Sequence, residues 1–271
     1  MRKYGLDYYE KQSDVVDTEI MKNNRITFSI LAAILKNQPD RVYTDHKRII
    51  ICQSCRPFPV WVWTVETITA DEKQQIAECL HVEFPVEEGY TYNMSHQLAD
   101  QLQRNPVFDH KLKIQFILFS FRCDRVLMSN DHCEGAMRKA CNKDIDVLTQ
   151  YKYEFETEAL GSEPDREQCK RSVQQKIENG TFFVWENQEH EITSMASIVL
   201  DDGMAKFSNV YAVPRFRRKG YTFNLMRSVT QIILEKGLVP VLYTNADYPA
   251  SNGCYKKVGY QQVGSLCTIG A

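Results

Sequence analysis

The chain contains no run of about 18 to 20 apolar residues, which excludes a membrane-spanning helix among its readable segments. Its first residues, Met1-Arg2-Lys3-Tyr4, lead into acidic and polar sequence where a secretory signal would turn apolar. A soluble, cytoplasmic protein with no membrane partner is the expectation. Cysteine is present but without a framework: there are nine, an odd number, scattered from Cys52 to Cys267, so reduced thiols are expected. Cys52-Gln53-Ser54-Cys55 is an isolated C-x-x-C, and a zinc site would need a second pair or two histidines at ligand spacing. The six histidines supply no H-x-x-x-H, and His190-Glu191 lacks the second histidine of a zinc-protease motif. No metal is predicted. Internal repeats and low-complexity tracts are also missing, and no phosphate-type glycine turn occurs before residue 130.

One further absence is local. Between Gly203 and Leu234 there is no carboxylate, while six cations occur there (Lys206, Arg215, Arg217, Arg218, Lys219 and Arg227), although the whole chain has formal charge −2. The cations converge on one point, where Val210-Tyr211-Ala212-Val213-Pro214 runs into Arg215-Phe216-Arg217-Arg218-Lys219-Gly220 and then an apolar helix. The first turn of that helix should present unpaired N–H groups and partial positive charge, so an anion can dock on backbone alone. Gly220 lets the backbone take a positive φ or approach a ligand closely, and Arg217 and Lys219 can add charge-assisted bonds of about 1.5 to 3 kcal/mol each. The plain alternative is a solvated basic loop. Nucleic acid is a poor third reading, since the cations gather at one helix start and the global charge is slightly negative.

At 271 residues, with 43% hydrophobic and 25% charged, the chain suits two globular domains of about 130 residues each. In the first half a helix is predicted over 25–36, strands over 48–52 and 60–65, and a helix from the capping box Thr69-Ala70-Asp71-Glu72 to about Val82. Ser95 should cap a helix to Arg104, and 112–122 should be a long strand. A boundary near residue 130 divides this half, 1–130, from the second, 131–271. There a strand is expected over 135–140, then helices over 144–158 and 165–178 separated by Gly161, Ser162 and Pro164. Strands follow over 181–185, 192–200 and 205–213, the last two joined by a hairpin turn at Asp201-Asp202-Gly203. The helix after Gly220, with Gly237 just past its end, precedes a strand over 239–244, a short helix over 250–257 and a last strand over 261–269.

The tail carries a second pattern: Leu242-Tyr243-Thr244-Asn245, then Ala250-Ser251-Asn252-Gly253-Cys254-Tyr255-Lys256-Lys257-Val258-Gly259-Tyr260. With Arg217-Arg218-Lys219-Gly220-Tyr221-Thr222, these residues resemble the GNAT superfamily of acyl-CoA-dependent N-acyltransferases over about Cys133 to Ala271. The resemblance departs at Arg218, where a glycine is frequent, and at Thr222, where a small Ala or Gly is usual. It implies an α/β (α+β) fold with a mixed, mostly antiparallel sheet flanked by helices. The half before it resembles the degenerate GNAT-like domain of two-module members.

By that resemblance the turn binds the pyrophosphate of acetyl-CoA, through Arg217, Arg218, Lys219, Gly220, Tyr221 and Thr222. The strand before it, Asn209 through Val213 and so including Tyr211 and Val213, gives backbone N–H groups to the thioester and pantetheine. Asn245, Ser251 and Asn252 add polar contacts, capping of the short helix being the simplest role for Ser251 and Asn252. Tyr255 stands where many members place a tyrosine that reaches the coenzyme sulfur, and with an ordinary pKa near 10 it can protonate the departing thiolate. No general base is identifiable. Glu154, Glu156 and Glu158 either attract a cationic acceptor or form a solvated helix face. The implied activity is acetyl transfer to a primary amine on a small molecule or peptide, with a homodimer as the common assembly. A non-catalytic coenzyme A sensor is the alternative.

Overall fold

The computed structural model describes residues 1–161 and 163–271, apart from the Leu160 side chain; Ser162, expected in the break between two helices, lies outside the described residues. In chain order the elements are β1 (Arg2–Lys3), β2 (Leu6–Glu10), α1 (Ser29–Lys36), β3 (Arg41–Thr44), β4 (Ile49–Gln53), β5 (Val60–Thr64), α2 (Ala70–Glu83), β6 (Tyr92–Met94), α3 (His96–Gln103) and β7 (Lys113–Cys123). They continue with β8 (Ala136–Lys139), α4 (Ile145–Leu160), α5 (Arg166–Glu178), β9 (Phe182–Glu186), β10 (Ile192–Asp201), β11 (Met204–Phe207), β12 (Tyr211–Ala212), α6 (Tyr221–Glu235), β13 (Val239–Asn245), α7 (Pro249–Val258) and β14 (Tyr260–Gly270). This is a mixed α/β fold. Helix was expected throughout 25–36, but residues 25–28 form a turn after a 3-10 segment, Thr18–Asn24, and the helix begins only at Ser29.

The chain divides into two compact units: Met1–Ser120 with Thr244–Tyr248 and Gln262–Ala271, and Phe121–Tyr243 with Pro249–Gln261. A single cut near residue 130 therefore does not describe it. In the first unit, Cys267, Thr268 and Ile269 of β14 pair antiparallel with Met94, Asn93 and Tyr92 of β6, which ties the last residues to the first half. Strands β2 to β5 form an antiparallel meander, and β5 runs parallel to β6. Alternate residues serve two cores. Ile49, Ile51, Val60 and Val62 pack with Ile76, Ala77 and Leu80 of α2, while Ile50, Cys52, Trp61 and Trp63 pack with Leu31 and Leu35 of α1. Burial on both faces explains the unbroken apolar runs Ile49-Ile50-Ile51-Cys52 and Val60-Trp61-Val62-Trp63. The predicted capping box is in place, with Glu72 N–H donating to Thr69 Oγ1 at 3.2 Å and Thr69 N–H to Glu72 Oε2 at 2.6 Å.

In the second unit β8, β9, β10 and β11 are antiparallel neighbours, and β13 runs parallel to β11. The hairpin turn falls at Asp202 (φ 50) and Gly203 (φ 72), both left-handed as a two-residue turn requires. Helix α6 buries Leu225, Met226, Val229 and Ile233. At the start of α4, Arg138 from β8 grips Asp144 through two nitrogens at 2.7 and 3.0 Å and also reaches Glu186 at 2.6 Å. Burial would raise the Asp144 carboxyl, but these bonds and the Cys141 N–H outweigh it and hold it below the usual carboxylate range.

Candidate functional site

The strand expected over 205–213 is two strands with a break between them, and the break makes the site. Ile198 of β10 opposes Phe207, but Met195 opposes Tyr211. Three steps along β10 thus match four on the other strand, a one-residue bulge at Ser208–Val210. Ser197 takes both extra donors, its carbonyl from Ser208 N–H at 2.8 Å and its hydroxyl from Asn209 N–H at 3.3 Å. Pairing of β11 with β13 runs from Met204↔Val239 to Lys206↔Val241, whereas β12 pairs with β10.

Past the bulge, hydrogen-bond alternation decides which amides are available. Val213 N–H donates to Thr193 O at 3.1 Å, so in an antiparallel ladder Tyr211 also faces β10, while Val210 and Ala212 face away from it. Within the expected stretch Asn209 through Val213, this separates two sets of amides. The amides of Tyr211 and Val213 are engaged with β10, and those of Val210 and Ala212 point to the edge toward which β11 pairs with β13.

The basic turn follows. A short 3-10 segment, Pro214–Phe216, leads to Arg217 in an extended conformation. Arg218 then adopts φ 65 and Gly220 φ 84, both left-handed, before α6 begins. Arg218 therefore takes the backbone conformation for which glycine is the natural residue. The first bond of the helical ladder is Asn224 N–H to Gly220 O at 3.0 Å, so the amides of Tyr221, Thr222 and Phe223 precede it. No side chain caps this end and no acidic residue lies in its first turn, whereas Thr69, Ser95 and Asp165 cap α2, α3 and α5.

Carboxylates reach the turn from distant positions in the chain. Glu158 accepts from Arg217 at 2.6 Å, and Arg217 Nε also donates to Ala212 O at 3.1 Å. Glu191 accepts from Arg215 at 2.9 Å, and Glu154 from the Tyr211 hydroxyl at 3.0 Å. Glu134 accepts from the Tyr221 hydroxyl, a bond that pushes this phenol up to about 12. Glu154, Glu156 and Glu158 each have a partner, Tyr211, Lys152 and Arg217 respectively, with Glu154 and Glu156 half-buried and Glu158 exposed. Arg218 and Lys219 are exposed, and among the described residues neither has a carboxylate partner.

The tail residues divide. Helix α7 begins at Pro249, so Ser251 and Asn252 are its third and fourth residues and do not cap it; Asn252 is buried. Tyr255 is 8% exposed, its ring 6.5 Å from that of Phe121 and 6.2 Å from that of Tyr260. Burial raises its phenol further above the usual range, so the hydroxyl keeps its proton at neutral pH. Asn245 ends β13 and accepts from Asp247 N–H at 2.9 Å, closing the turn into α7; its contacts place it with the first unit. Gly259 is required where it stands: at φ 125, an added Cβ would lie 2.4 Å from Arg125 O.

One group has no signal in the sequence. Lys176, in the last turn of α5, donates to Ser197 Oγ and Ser208 Oγ, each at 2.9 Å, and to Asn209 Oδ1 at 2.7 Å. Nothing in an amphipathic helix distinguishes this lysine from its neighbours. The C-x-x-C cysteines are one buried thiol in β4 and one exposed thiol, and among the described residues no group of three or more His, Cys, Asp or Glu side chains could hold a metal. No described helix is long and apolar enough to cross a membrane.

Comparison with known proteins agrees with this geometry. Residues 187–268 match the family model described as FR47-like protein, a span covering the bulge, the turn and Tyr255. No protein of curated function matches the sequence. Among solved structures, a GCN5-related N-acetyltransferase from Sphaerobacter thermophilus is similar with TM-score 0.66 at 12% identity, over 86% of this chain and 80% of that one. A GNAT-family acetyltransferase from Colwellia psychrerythraea is similar over 97% of this chain and 98% of its own, with TM-score 0.58 at 9% identity. These structural likenesses establish the fold, and their coverage extends it to both units. The family match spans residues 187–268 alone, and the structures at 9% and 12% identity share the fold.

Proposed function

We propose that the protein transfers an acyl group, acetyl by default, from acyl-CoA to a primary amine. The observation that carries this reading is the conjunction of an uncapped, cation-flanked helix start with a strand edge opened by the bulge before it. Arg217, Arg218 and Lys219, with the amides from Gly220 to Thr222, suit a pyrophosphate. The outward amides of Val210 and Ala212 suit the pantetheine arm and the thioester carbonyl, whose oxygen gains negative charge as the amine attacks. In the transfer, nitrogen bonds the carbonyl carbon, the carbon–sulfur bond breaks, and the thiolate takes a proton for which Tyr255 is our candidate donor. The amine's proton leaves to solvent or to a base that the geometry leaves unassigned.

Thiol release from acetyl-CoA across an amine library tests the reading. Turnover is expected with at least one amine, and Tyr255→Phe should lose roughly 10²- to 10⁴-fold in kcat while still binding coenzyme A. Tight coenzyme A binding without thiol release from any amine would favour a sensor.

A further inference from the structure

The bulge that opens β12 is held by a cation. Lys176 has three ammonium protons, and the structure places an oxygen before each of them: Ser197 Oγ, Ser208 Oγ and Asn209 Oδ1. Two of these acceptors belong to the bulge itself. The third, Ser197, receives the Asn209 N–H and is also 2.7 Å from Ser208 Oγ and 3.1 Å from Asn209 Oδ1. The four side chains thus form a closed network in which no carboxylate bonds the lysine. The next residue, Val210, is the first whose N–H faces the open edge.

We propose that Lys176 is a positioning residue of the acyl-transfer site: its ammonium locks the bulge at Ser208 and Asn209 and so aims the Val210 N–H at the carbonyl of the bound acyl group. The inference rests on the acyl-transfer reading above and deepens it. A neutral amine offers two protons and a lone pair, so on deprotonation one of the three oxygens must either withdraw or, at Ser197 or Ser208, turn its hydroxyl to donate to the amine, and either change rearranges the network at the bulge. The groups facing Lys176 set where that happens. From α4 come Lys152 and Glu156, which are paired with each other, and Glu156 also accepts from the Cys169 thiol of α5 at 3.5 Å. From β10 and the bulge come only the neutral Ser197, Ser208 and Asn209. Burial first, and Lys152 second, pull the Lys176 ammonium down to about 8, against an opposing pull from Glu156. Below that pH the lock is closed; as pH rises through it, the lock opens. Loss of the cation should therefore lower kcat at alkaline pH, where deprotonation of an acceptor amine would by itself raise the rate.

The test combines a spectroscopic and a kinetic measurement on the full chain. In ¹⁵N-labelled wild type without ligand, the Val210 amide should titrate with a midpoint near the Lys176 value of about 8. In Lys176→Met it should be flat. In thiol-release kinetics, Lys176→Met should lose about tenfold or more in kcat, since a misaimed oxyanion donor is costly, while its affinity for coenzyme A stays close to wild type. Lys176→Arg, which keeps a cation at every accessible pH, should restore part of kcat and remove the alkaline fall. A wild-type Val210 amide that does not move across this range overturns the inference without depending on how any variant folds. So does a Lys176→Met enzyme with wild-type kcat and pH profile. Wild-type protein that fails to bind coenzyme A overturns the acyl-transfer reading and this inference with it, whereas coenzyme A binding with a silent Val210 amide overturns the inference alone.

Discussion

Replacing Glu158 with glutamine should tighten coenzyme A binding. In the ligand-free protein the Arg217 guanidinium is shared between Ala212 O, at 3.1 Å, and the Glu158 carboxylate, at 2.6 Å. A pyrophosphate must compete with that carboxylate for the same N–H groups. The Arg217 and Glu158 side chains are 42% and 57% exposed, so the pair belongs with surface ion pairs, worth about 0.2 to 1 kcal/mol. Removing the competing charge should therefore lower Kd by a factor of about 1.4 to 5. Glutamine keeps the size and a carbonyl acceptor, so Arg217 retains its tether to Ala212 O. Calorimetric titration of coenzyme A at low and at high salt measures the effect, and the gain should shrink as salt screens the exposed charges. Unchanged affinity at low salt would mean that Arg217 does not meet the pyrophosphate. A weaker Kd would mean that Glu158 aims Arg217 and does not compete for its guanidinium.

The remaining predictions concern the turn and the frame behind it. Arg218→Gly should relieve a left-handed residue, a cost of roughly 1 to 2 kcal/mol, against roughly 0.5 to 1 kcal/mol of added backbone freedom in the unfolded chain. Urea unfolding should show a net gain between about 0 and about 1.5 kcal/mol, together with weaker coenzyme A binding from the lost cation. Asp144→Ala should cost about 3 kcal/mol, the low end for a broken buried pair, because Arg138 keeps Glu186 and is itself 27% exposed. The wild-type carboxyl is held below its unfolded value, so its contribution is complete above an unfolded pKa of about 3.9 and is lost as pH falls through the folded value. Urea midpoints measured from neutral pH downward should therefore converge for wild type and Asp144→Ala in acid.

Much of the fold was legible where one segment suffices to state the physics. The runs at 49–52 and 60–63 read as strands because they are buried on both faces, and Thr69-Ala70-Asp71-Glu72 read as a helix start because both reciprocal bonds are local. The hairpin at Asp202-Gly203 was equally explicit. Strands β2, β3 and β6 were not readable: each is short, and its identity depends on neighbours elsewhere in the chain. The helix expected from residue 25 failed for a tertiary reason as well. Thr27 is buried against Ser120, its Oγ1 3.1 Å from the serine hydroxyl, and a Cβ at Gly264 would lie 2.0 Å from it. The bulge at Ser208–Val210 was invisible because a bulge is a mismatch of register between two strands.

What the sequence determined by itself was the cationic, glycine-gated start of α6 and the tyrosine of the following short helix, since capping, charge density and φ preference act within a few residues. The tertiary structure alone decided how that charge is used. It brought Glu158 to Arg217 and Glu191 to Arg215 from segments outside the carboxylate-free stretch, while Arg218 and Lys219 remained without a carboxylate partner among the described residues. It also set Lys176 beneath the bulge and, within the stretch Asn209 through Val213, turned the amides of Val210 and Ala212 away from β10. Ion pairing and strand register depend on distance through space, and that distance exists only once the chain has folded.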